Sequence, residues 1–157
     1  MEYFTILNIG NRGQGGKMTI KQLTTQEEWV EAYAIMVQLR TELTLENYLQ
    51  LLEEMMKDGY SLFALYKNKE MVVVAGVSWR INFYNKRHIF VYDLVTDEAY
   101  RSCGYGEKLL AYIHQWGKEN GALYIALESG VQRNNAHRFY EERLGYEKWC
   151  YSFRKEL

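Results

Sequence analysis

The pattern of apolar and polar residues changes along the chain from helical to strand-like spacing and back. Apolar residues recur every three or four positions after Thr25 and again after Thr44, which predicts two amphipathic helices, the second ending at Gly59. Thr25 precedes Glu28 by three residues, the spacing of a capping box. Short apolar runs between polar turns predict strands over residues 18–23, 60–66, 71–77, 89–95, 122–127 and 149–153.

The second half of the chain alternates strands with helices. Apolar residues at helical spacing predict helices over residues 106–120 and 135–144, and Gly121 supplies the end of the first. A strand meander followed by a strand–helix–strand unit is typical of an α/β (α+β) fold. We expect a mixed, largely antiparallel central sheet of about six or seven strands, flanked by about four helices.

The first seventeen residues differ from the rest because they are rich in glycine and polar residues and lack any period. We expect residues 1–17 to be a flexible, dispensable N-terminal extension, with Met18 an alternative start, and residues 18–157 to form a single domain. A cloning remnant and an extra edge strand at residues 3–9 are the alternatives. A P-loop is not indicated, because Gly16 and Lys17 are followed by Met18 rather than by Ser or Thr.

Composition narrows the class of protein. The chain has 157 residues, of which 48% are hydrophobic and 25% charged, as in an average globular domain. The net charge of −1 argues against nucleic-acid binding, and no apolar run is long enough to span a membrane. Cys103 and Cys150 cannot form a disulfide framework, which favours a cytoplasmic location. His88 and His114 have no partners at metal-ligand spacing, so we expect no metal site.

The stretch that begins at Asp93 carries the most informative chemistry. An apolar strand runs into a short loop, and the loop enters a helix at Gly104 and Gly106. The first amides of a helix lack intrahelical acceptors, and glycine lets an anion approach them without interference from a Cβ. Arg101 adds a positive side chain. The same pattern is also compatible with a plain tight turn between a strand and a helix.

Two longer motifs resemble those of the GNAT N-acetyltransferase superfamily. The first is Arg101-x-x-Gly104-x-Gly106 after a strand ending Asp93-Leu94-Val95, which is similar to the family's acetyl-CoA motif. The second is Ala136-x-x-Phe139-Tyr140-Glu141 followed by Gly145-Tyr146, which is similar to the family's C-terminal helix and turn. The motifs occur in the family's order and separation, and the resemblance covers residues 18–153. It implies a GNAT-like fold and acetyl-CoA as co-substrate.

The resemblance also implies which residues bind acetyl-CoA. Backbone amides of the glycine loop would hold the pyrophosphate, with Arg101 nearby; the loop residues are Ser102, Cys103, Gly104, Tyr105 and Gly106. The exposed backbone of the preceding strand would pair with the pantetheine arm, at Leu94, Val95 and Thr96. One amide near Val95 would polarise the thioester carbonyl. Asn135 is a further candidate contact, although the family often has asparagine where this chain has Arg133.

Catalytic roles follow from the same resemblance. Tyr140 would protonate the departing thiolate, since a phenol is neutral at physiological pH and can donate a proton. A core aromatic residue is the alternative interpretation of Tyr140. Asp93 and Glu128, each near the end of a predicted strand, are candidate bases for the amine. A structural hydrogen bond or a contact to the substrate ammonium is the alternative for both.

The sequence therefore predicts an N-acetyltransferase that moves an acetyl group directly to a primary amine in a ternary complex. The sequence Arg133-x-x-Ala136-His137-x-Phe139-Tyr140 is similar to a pattern in aminoglycoside 6′-type and related small-amine branches of the family, which favours a small-molecule acceptor. A catalytically poor acyl-CoA-binding sensor or regulatory module is the alternative. The aromatic-rich segment 149–153 suggests pairing between subunits of a homodimer.

Overall fold

The computed structural model describes residues 16–157. The expected edge strand at residues 3–9 and almost all of the expected extension at 1–17 lie outside the described residues. The elements are β1 (Met18–Gln22), α1 (Gln26–Met36), α2 (Leu45–Lys57), β2 (Tyr60–Lys67), β3 (Glu70–Asn82), β4 (Lys86–Thr96), a 3₁₀ turn (Glu98–Tyr100), α3 (Tyr105–Glu119), β5 (Tyr124–Leu127), α4 (Asn134–Arg138) and a π-helical turn (Phe139–Arg143).

The described strands form one sheet in the order β1-β2-β3-β4-β5. The first four make an antiparallel meander. β4 and β5 are sheet neighbours joined through α3, the crossover connection by which neighbouring strands run parallel. The predicted class, a mixed sheet flanked by helices, is confirmed, with five strands in the described chain where about six or seven were expected.

Polar side chains fix the starts of the first two helices. The Thr25 hydroxyl accepts from the Glu28 amide at 3.3 Å, and the Glu28 carboxylate accepts from the Thr25 amide at 3.2 Å, which is the predicted capping box. Thr44 caps α2 by accepting from the Asn47 amide at 3.2 Å. These contacts set where α1 and α2 begin.

Helices cover both faces of the sheet. Alternate residues of β2 join α1 and α2 in the main apolar cluster, as the two-residue period of a strand requires; they are Tyr60, Leu62, Ala64 and Tyr66. On the other face Phe63 packs against α3, with its ring centroid 6.1 Å from that of Tyr112 and 5.0 Å from that of Trp116. The sheet is therefore the middle layer of three.

β4 contains a β-bulge. Gly76 of β3 lies opposite Asp93, but the following residue, Val77, lies opposite Val91. Tyr92 is therefore an extra residue without a counterpart on β3.

The bulge decides which helices each half of β4 contacts. Ile89 lies against α3, where a Cβ built on Gly117 would be 3.0 Å from its Cγ1. Val95 belongs instead to the cluster formed with α1 and α2. A regular strand would place Ile89 and Val95 on one face, because they are an even number of positions apart. The extra residue thus turns Asp93 and Val95 toward α1 and α2.

The helix predicted over residues 135–144 forms differently. It is α-helical only over Asn134–Arg138 and continues as a π-helical turn over Phe139–Arg143. β5 also begins two residues later than predicted, at Tyr124. A π turn contains one residue more than an α turn. Over a helix this short, the spacing of the apolar residues does not show where that one residue is inserted.

The strand predicted at residues 149–153 is wrong for the described structure. Trp149, Tyr151 and Phe153 alternate as in a strand, but their exposed fractions are 66%, 79% and 93% and the segment has no regular secondary structure. An extended segment becomes a strand only when its backbone pairs with another strand. Sequence alternation does not supply that partner.

Two compact units make up the chain, the first ending at Ala126 and the second spanning Leu127–Leu157. The first contains α1 to α3 and nearly all of the sheet, and the second contains α4 and the π-helical turn. Residues 16–157 include no helix with the length and apolar character that a bilayer crossing requires.

Candidate active site

The loop between β4 and α3 has the backbone shape of an anion site. Ser102 and Gly104 both have left-handed conformations, with φ of +63° and +77°. Gly104 is the N-cap of α3 and has no side chain to satisfy the first amides, which are those of Gly104, Tyr105, Gly106 and Glu107. These N–H groups and the positive end of the helix dipole favour a negatively charged ligand.

Space around the glycines suits close approach of a ligand. A Cβ built on Gly104 would meet no atom within 4 Å, so the loop is open on that side. A Cβ on Gly106 would lie 3.1 Å from the Thr96 hydroxyl oxygen, so this glycine allows α3 to start close to the end of β4. The residues present therefore fit the pyrophosphate of acetyl-CoA.

The other predicted cofactor residues of the first unit lie around this loop. Leu94, Val95 and Thr96 end β4, where Val95 is buried and the other two are half-buried. Arg101 and Cys103 are exposed. The Arg101 guanidinium donates to the Thr96 carbonyl at 3.4 Å, which keeps its charge beside the strand end.

Two polar residues that sequence analysis missed also contact the loop. Gln38 follows α1 and accepts a hydrogen bond from the Glu98 amide at 2.9 Å. Lys67 ends β2, with its ammonium 5.6 Å from the Tyr105 ring centroid and 5.8 Å from that of Tyr100. A hydrogen bond with Tyr105 raises the pKa of Lys67, so this cation stays charged. Neither residue belongs to a motif. The packing of α1 brings Gln38 to the loop, and the position of β2 in the sheet brings Lys67 there.

Asp93 is buried and already has partners for both oxygens. Its Oδ1 accepts from Nε of Arg40 at 2.8 Å and forms an ion pair with Nη2 of the same guanidinium, also at 2.8 Å. Its Oδ2 accepts from the Tyr60 hydroxyl at 3.1 Å. Arg40 also donates to the Tyr92 carbonyl at 3.0 Å, so it attaches the chain after α1 to β4. Burial of the Tyr60 phenol and the adjacent Asp93 charge raise the pKa of Tyr60, which stays protonated as the donor.

A cleft lies beside Arg40. It has a volume of about 310 Å³ and is lined by the segment between α1 and α2, namely Leu39, Arg40, Thr41, Glu42 and Leu43. Tyr33 of α1 shapes one end of this segment by donating to the Leu43 carbonyl at 2.8 Å. The cleft is large enough for part of a small organic molecule.

In the second unit, Tyr140 lies in the π-helical turn and is half-buried. Its ring centroid is 5.3 Å from that of Phe139 and 5.7 Å from that of Tyr146. Burial raises the pKa of the Tyr140 phenol, while the nearby Arg133 charge acts in the opposite direction. Tyr140 is therefore a neutral donor at physiological pH, and Arg133 would stabilise the phenolate after proton donation.

The remaining predicted site residues of this unit are accessible. Glu128 is exposed, as is Asn135 in the first turn of α4. His137 donates from Nε2 to the Gly130 carbonyl at 2.9 Å, so it holds the segment before α4 against the helix. Among residues 16–157 no group of three or more metal-ligating side chains is close enough to hold a metal ion.

The sequence model of the acetyltransferase (GNAT) family matches residues 24–146. This chain belongs to the GNAT acetyltransferase family. A curated relative, the uncharacterized N-acetyltransferase YhdJ of Bacillus subtilis (strain 168), is 45% identical over 139 residues. That alignment covers 88% of this GNAT chain and 98% of the relative. The predicted family and its predicted activity class, N-acetyltransferase, are confirmed.

Solved structures share the GNAT fold at low sequence identity. The aminoglycoside N-acetyltransferase AAC(6′)-Iy in complex with CoA is 20% identical, with a TM-score of 0.77 over 92% of this chain and 98% of that one. A transcriptional regulator from Bacillus halodurans C-125 is 22% identical, with a TM-score of 0.75 over 89% of this chain and 99% of that one. At these identities the likeness establishes the fold alone.

Proposed function

We propose that this GNAT protein transfers the acetyl group of acetyl-CoA directly to a primary amine of a small molecule. The observation that carries the proposal is the glycine-lined start of α3, whose open amides adjoin Arg101 and the end of β4. Family membership supports acetyl-CoA as the co-substrate, and so does the CoA complex of a structural neighbour.

The pyrophosphate is bound by the amides of Ser102, Cys103, Gly104, Tyr105 and Gly106. Arg101 and the dipole of α3 supply positive charge there. The pantetheine arm lies along the backbone of Leu94, Val95 and Thr96, and an amide near Val95 polarises the thioester carbonyl. Asn135 provides a further contact. Holding the thioester and the amine together supplies much of the rate acceleration.

The transfer needs two proton movements. The neutral amine attacks the acetyl carbon, a C–N bond forms, and the C–S bond breaks. The leaving sulfur takes a proton from Tyr140, and the nitrogen releases one to a base or to water. The raised pKa of Tyr140 keeps its phenol protonated before the step, and Arg133 offsets the charge that develops on it.

The two candidate bases differ in their surroundings. Asp93 is held by Arg40 and Tyr60, which favours a positioning role for this carboxylate. Glu128 is exposed and available to accept a proton. We therefore assign the base to Glu128 in preference to Asp93. In the profile of kcat against pH, we expect Glu128→Gln to abolish the rise in kcat that accompanies deprotonation of the base, and Asp93→Asn to retain that rise.

The small-molecule acceptor is supported by the sequence around Arg133 and Tyr140, which is similar to small-amine branches of the family. The cleft lined by the segment between α1 and α2 supports it further, since about 310 Å³ holds part of a small organic molecule. A homodimer joined through Trp149, Tyr151 and Phe153 remains part of the proposal and is supported by their exposure. Sedimentation of the full chain and of the triple serine variant would test it. A cytoplasmic location is also proposed, on the basis of two free cysteines.

Tyr140→Phe tests the proposal most directly. Thiol release from acetyl-CoA across a panel of primary amines first identifies a substrate. We then expect Tyr140→Phe to lower kcat at least about tenfold with little change in acetyl-CoA affinity, because only the hydroxyl is lost. Tyr146→Phe is the matched control, since its ring lies 5.7 Å from that of Tyr140 in the same unit.

Three outcomes would change the assignment. An unaltered kcat in Tyr140→Phe, with chemistry rate-limiting, removes Tyr140 from the reaction. A variant that unfolds or loses acetyl-CoA makes Tyr140 structural. A wild-type protein that binds acetyl-CoA but acetylates no amine in the panel favours the sensor alternative.

A further inference from the structure

Gln38 connects the chain after α1 to the loop that precedes α3. Its Oε1 accepts from the Glu98 amide at 2.9 Å and from Nη2 of Arg101 at 3.3 Å. Its Nε2 donates to Oδ2 of Asp97 at 3.1 Å and to the Ala34 carbonyl at 3.3 Å. One side chain therefore reaches three residues of the loop, which lie about sixty positions away in sequence.

These contacts act on a segment that already has a defined shape. Asp97 begins the 3₁₀ turn, where its Oδ1 accepts from the Ala99 amide at 2.9 Å. Its own amide donates to the Val72 carbonyl of β3 at 2.9 Å. Gln38 binds the other carboxylate oxygen, so Asp97 is held by the sheet on one side and by α1 on the other.

Arg101 is directed by two weak hydrogen bonds of similar length, one of them to Gln38 at 3.3 Å. Its side chain is exposed, and the second hydrogen bond goes to the Thr96 carbonyl at 3.4 Å, so the loss of Gln38 would leave Arg101 with one contact. A free arginine loses rotamer entropy when a ligand fixes it. A guanidinium already directed by the Gln38 oxygen loses less of that freedom, which favours anion binding.

We propose that Gln38 is a positioning residue for the pyrophosphate of acetyl-CoA. It acts through Arg101 and through the Asp97 and Glu98 end of the loop, without touching the reacting atoms. This inference rests on the proposed function, because it assumes that acetyl-CoA binds at the start of α3.

Gln38 lies between the phosphate loop and the cleft. The residues that follow it, Leu39 and Arg40, line the cleft between α1 and α2. Arg40 attaches the same segment to Asp93 of β4.

Gln38→Met tests the inference, because methionine has similar length and makes none of the four hydrogen bonds. Gln22→Met is the matched control, since Gln22 is exposed and its side chain makes one hydrogen bond within residues 16–157, to Ser61 at 3.2 Å. Calorimetry with acetyl-CoA measures affinity. We expect Gln38→Met to weaken binding about tenfold, the loss expected for one to two hydrogen bonds to a charged or loop partner, and Gln22→Met to bind as the wild type does.

A second ligand and a second variant separate positioning from a loss of structure. S-acetylpantetheine carries the thioester without the pyrophosphate, and we expect Gln38→Met to retain the wild-type rise in Tm that this ligand causes. Arg101→Met alone should weaken acetyl-CoA binding. In the Arg101→Met background, Gln38→Met should then lower acetyl-CoA affinity clearly less than it does in the wild-type protein. Should Gln38→Met not fold, Gln38→Glu replaces it, because a carboxylate beside Asp97 and Arg101 opposes an anion and should also weaken acetyl-CoA.

Each result bears on the inference in one direction. Wild-type acetyl-CoA affinity in Gln38→Met, an equal loss for both ligands, or full additivity with Arg101→Met would overturn it. Absence of acetyl-CoA binding by the wild-type protein would overturn the proposed function and the inference together. Selective loss of acetyl-CoA affinity, with non-additivity, supports the positioning role.

Discussion

Gly76 lies so close beneath Tyr60 that a Cβ built on the glycine would be 1.6 Å from the phenolic oxygen. The same phenol donates to Asp93, the residue opposite Gly76 on β4. A side chain at Gly76 would thus occupy the path by which Tyr60 reaches the carboxylate. The glycine is required here by close packing, since its φ is not in the left-handed region.

We expect Gly76→Ala to destabilise the fold by about 2–4 kcal/mol, the sum of an overpacked core and a lost buried hydrogen bond. Urea unfolding followed by circular dichroism measures the change. Tyr60→Leu provides the control. In that background the methyl group added by Gly76→Ala no longer meets a phenol, so Gly76→Ala should lower the unfolding free energy by less than it does in the wild type. An equal cost in both backgrounds would show that Tyr60 is not the obstacle.

Tyr48→Phe is expected to be neutral or to stabilise the protein by about 1 kcal/mol. The Tyr48 hydroxyl is buried without a hydrogen-bond partner among the described residues, so its removal relieves a desolvation cost. Tyr33→Phe is the comparison, since that ring lies 5.4 Å away and its hydroxyl is bonded to the Leu43 carbonyl. Tyr33→Phe should lower the unfolding free energy by about 1 kcal/mol. A lower unfolding free energy in Tyr48→Phe would show that the Tyr48 hydroxyl does make a stabilising hydrogen bond.

Gly104→Val is expected to weaken acetyl-CoA binding at least about tenfold, because its side chain would project into the space above the first amides of α3. Gly121→Val is a close control. Both glycines flank α3, have positive φ (+77° and +89°) and have no atom within 4 Å of a built Cβ. Both substitutions therefore carry similar backbone strain of about 1–2 kcal/mol. Equal acetyl-CoA affinity in the two folded variants, measured by calorimetry, would place the pyrophosphate elsewhere.

Acid should weaken the fold partly through Glu28. Partial burial alone would raise the pKa of Glu28, but the Lys21 ammonium and the amides of Thr24 and Thr25 outweigh it and lower the pKa below its usual 4.5. A lowered folded-state pKa gives stability that is present above the unfolded value and is lost as pH falls through the folded value.

We therefore expect the urea midpoint of the wild type to fall between pH 7 and about pH 3 more than that of Glu28→Gln. Glu53→Gln on α2 controls for general charge effects, since that side chain is exposed. Parallel pH profiles for wild type and Glu28→Gln would show that the capping carboxylate does not contribute.

Local sequence signals predicted the parts of this protein that depend on short segments. The cap at Thr25, the helix start near Thr44, the meander, and the glycine turn before α3 all follow from spacing within a few residues. The contacts of Asp93 could not be predicted in this way. They depend on Arg40 and Tyr60, which lie 53 and 33 positions away.

Gln38 illustrates the same limit at the candidate site. A single glutamine after a helix carries no signal by itself, and it reaches Asp97 only because α1 packs across the sheet near the end of β4. The π-helical turn at Tyr140 was also beyond prediction, since one inserted residue hardly alters the apolar spacing. The motifs identified the GNAT family, and the packing of α1 on the sheet determined which residues surround the loop before α3.

The extra residue at Tyr92 links the length of β4 to its bulge. Deleting this one residue would leave Val91 opposite Val77 and Asp93 opposite Gly76, so regular pairing would return and every later residue would keep its face. Regular pairing of the full-length strand would instead place Tyr92 opposite Gly76 and turn every later residue to the opposite face. Asp93 would then point away from Arg40, while Leu94 and Thr96 would turn toward α1 and α2. In evolution, the bulge and the extra residue can therefore be gained or lost only together.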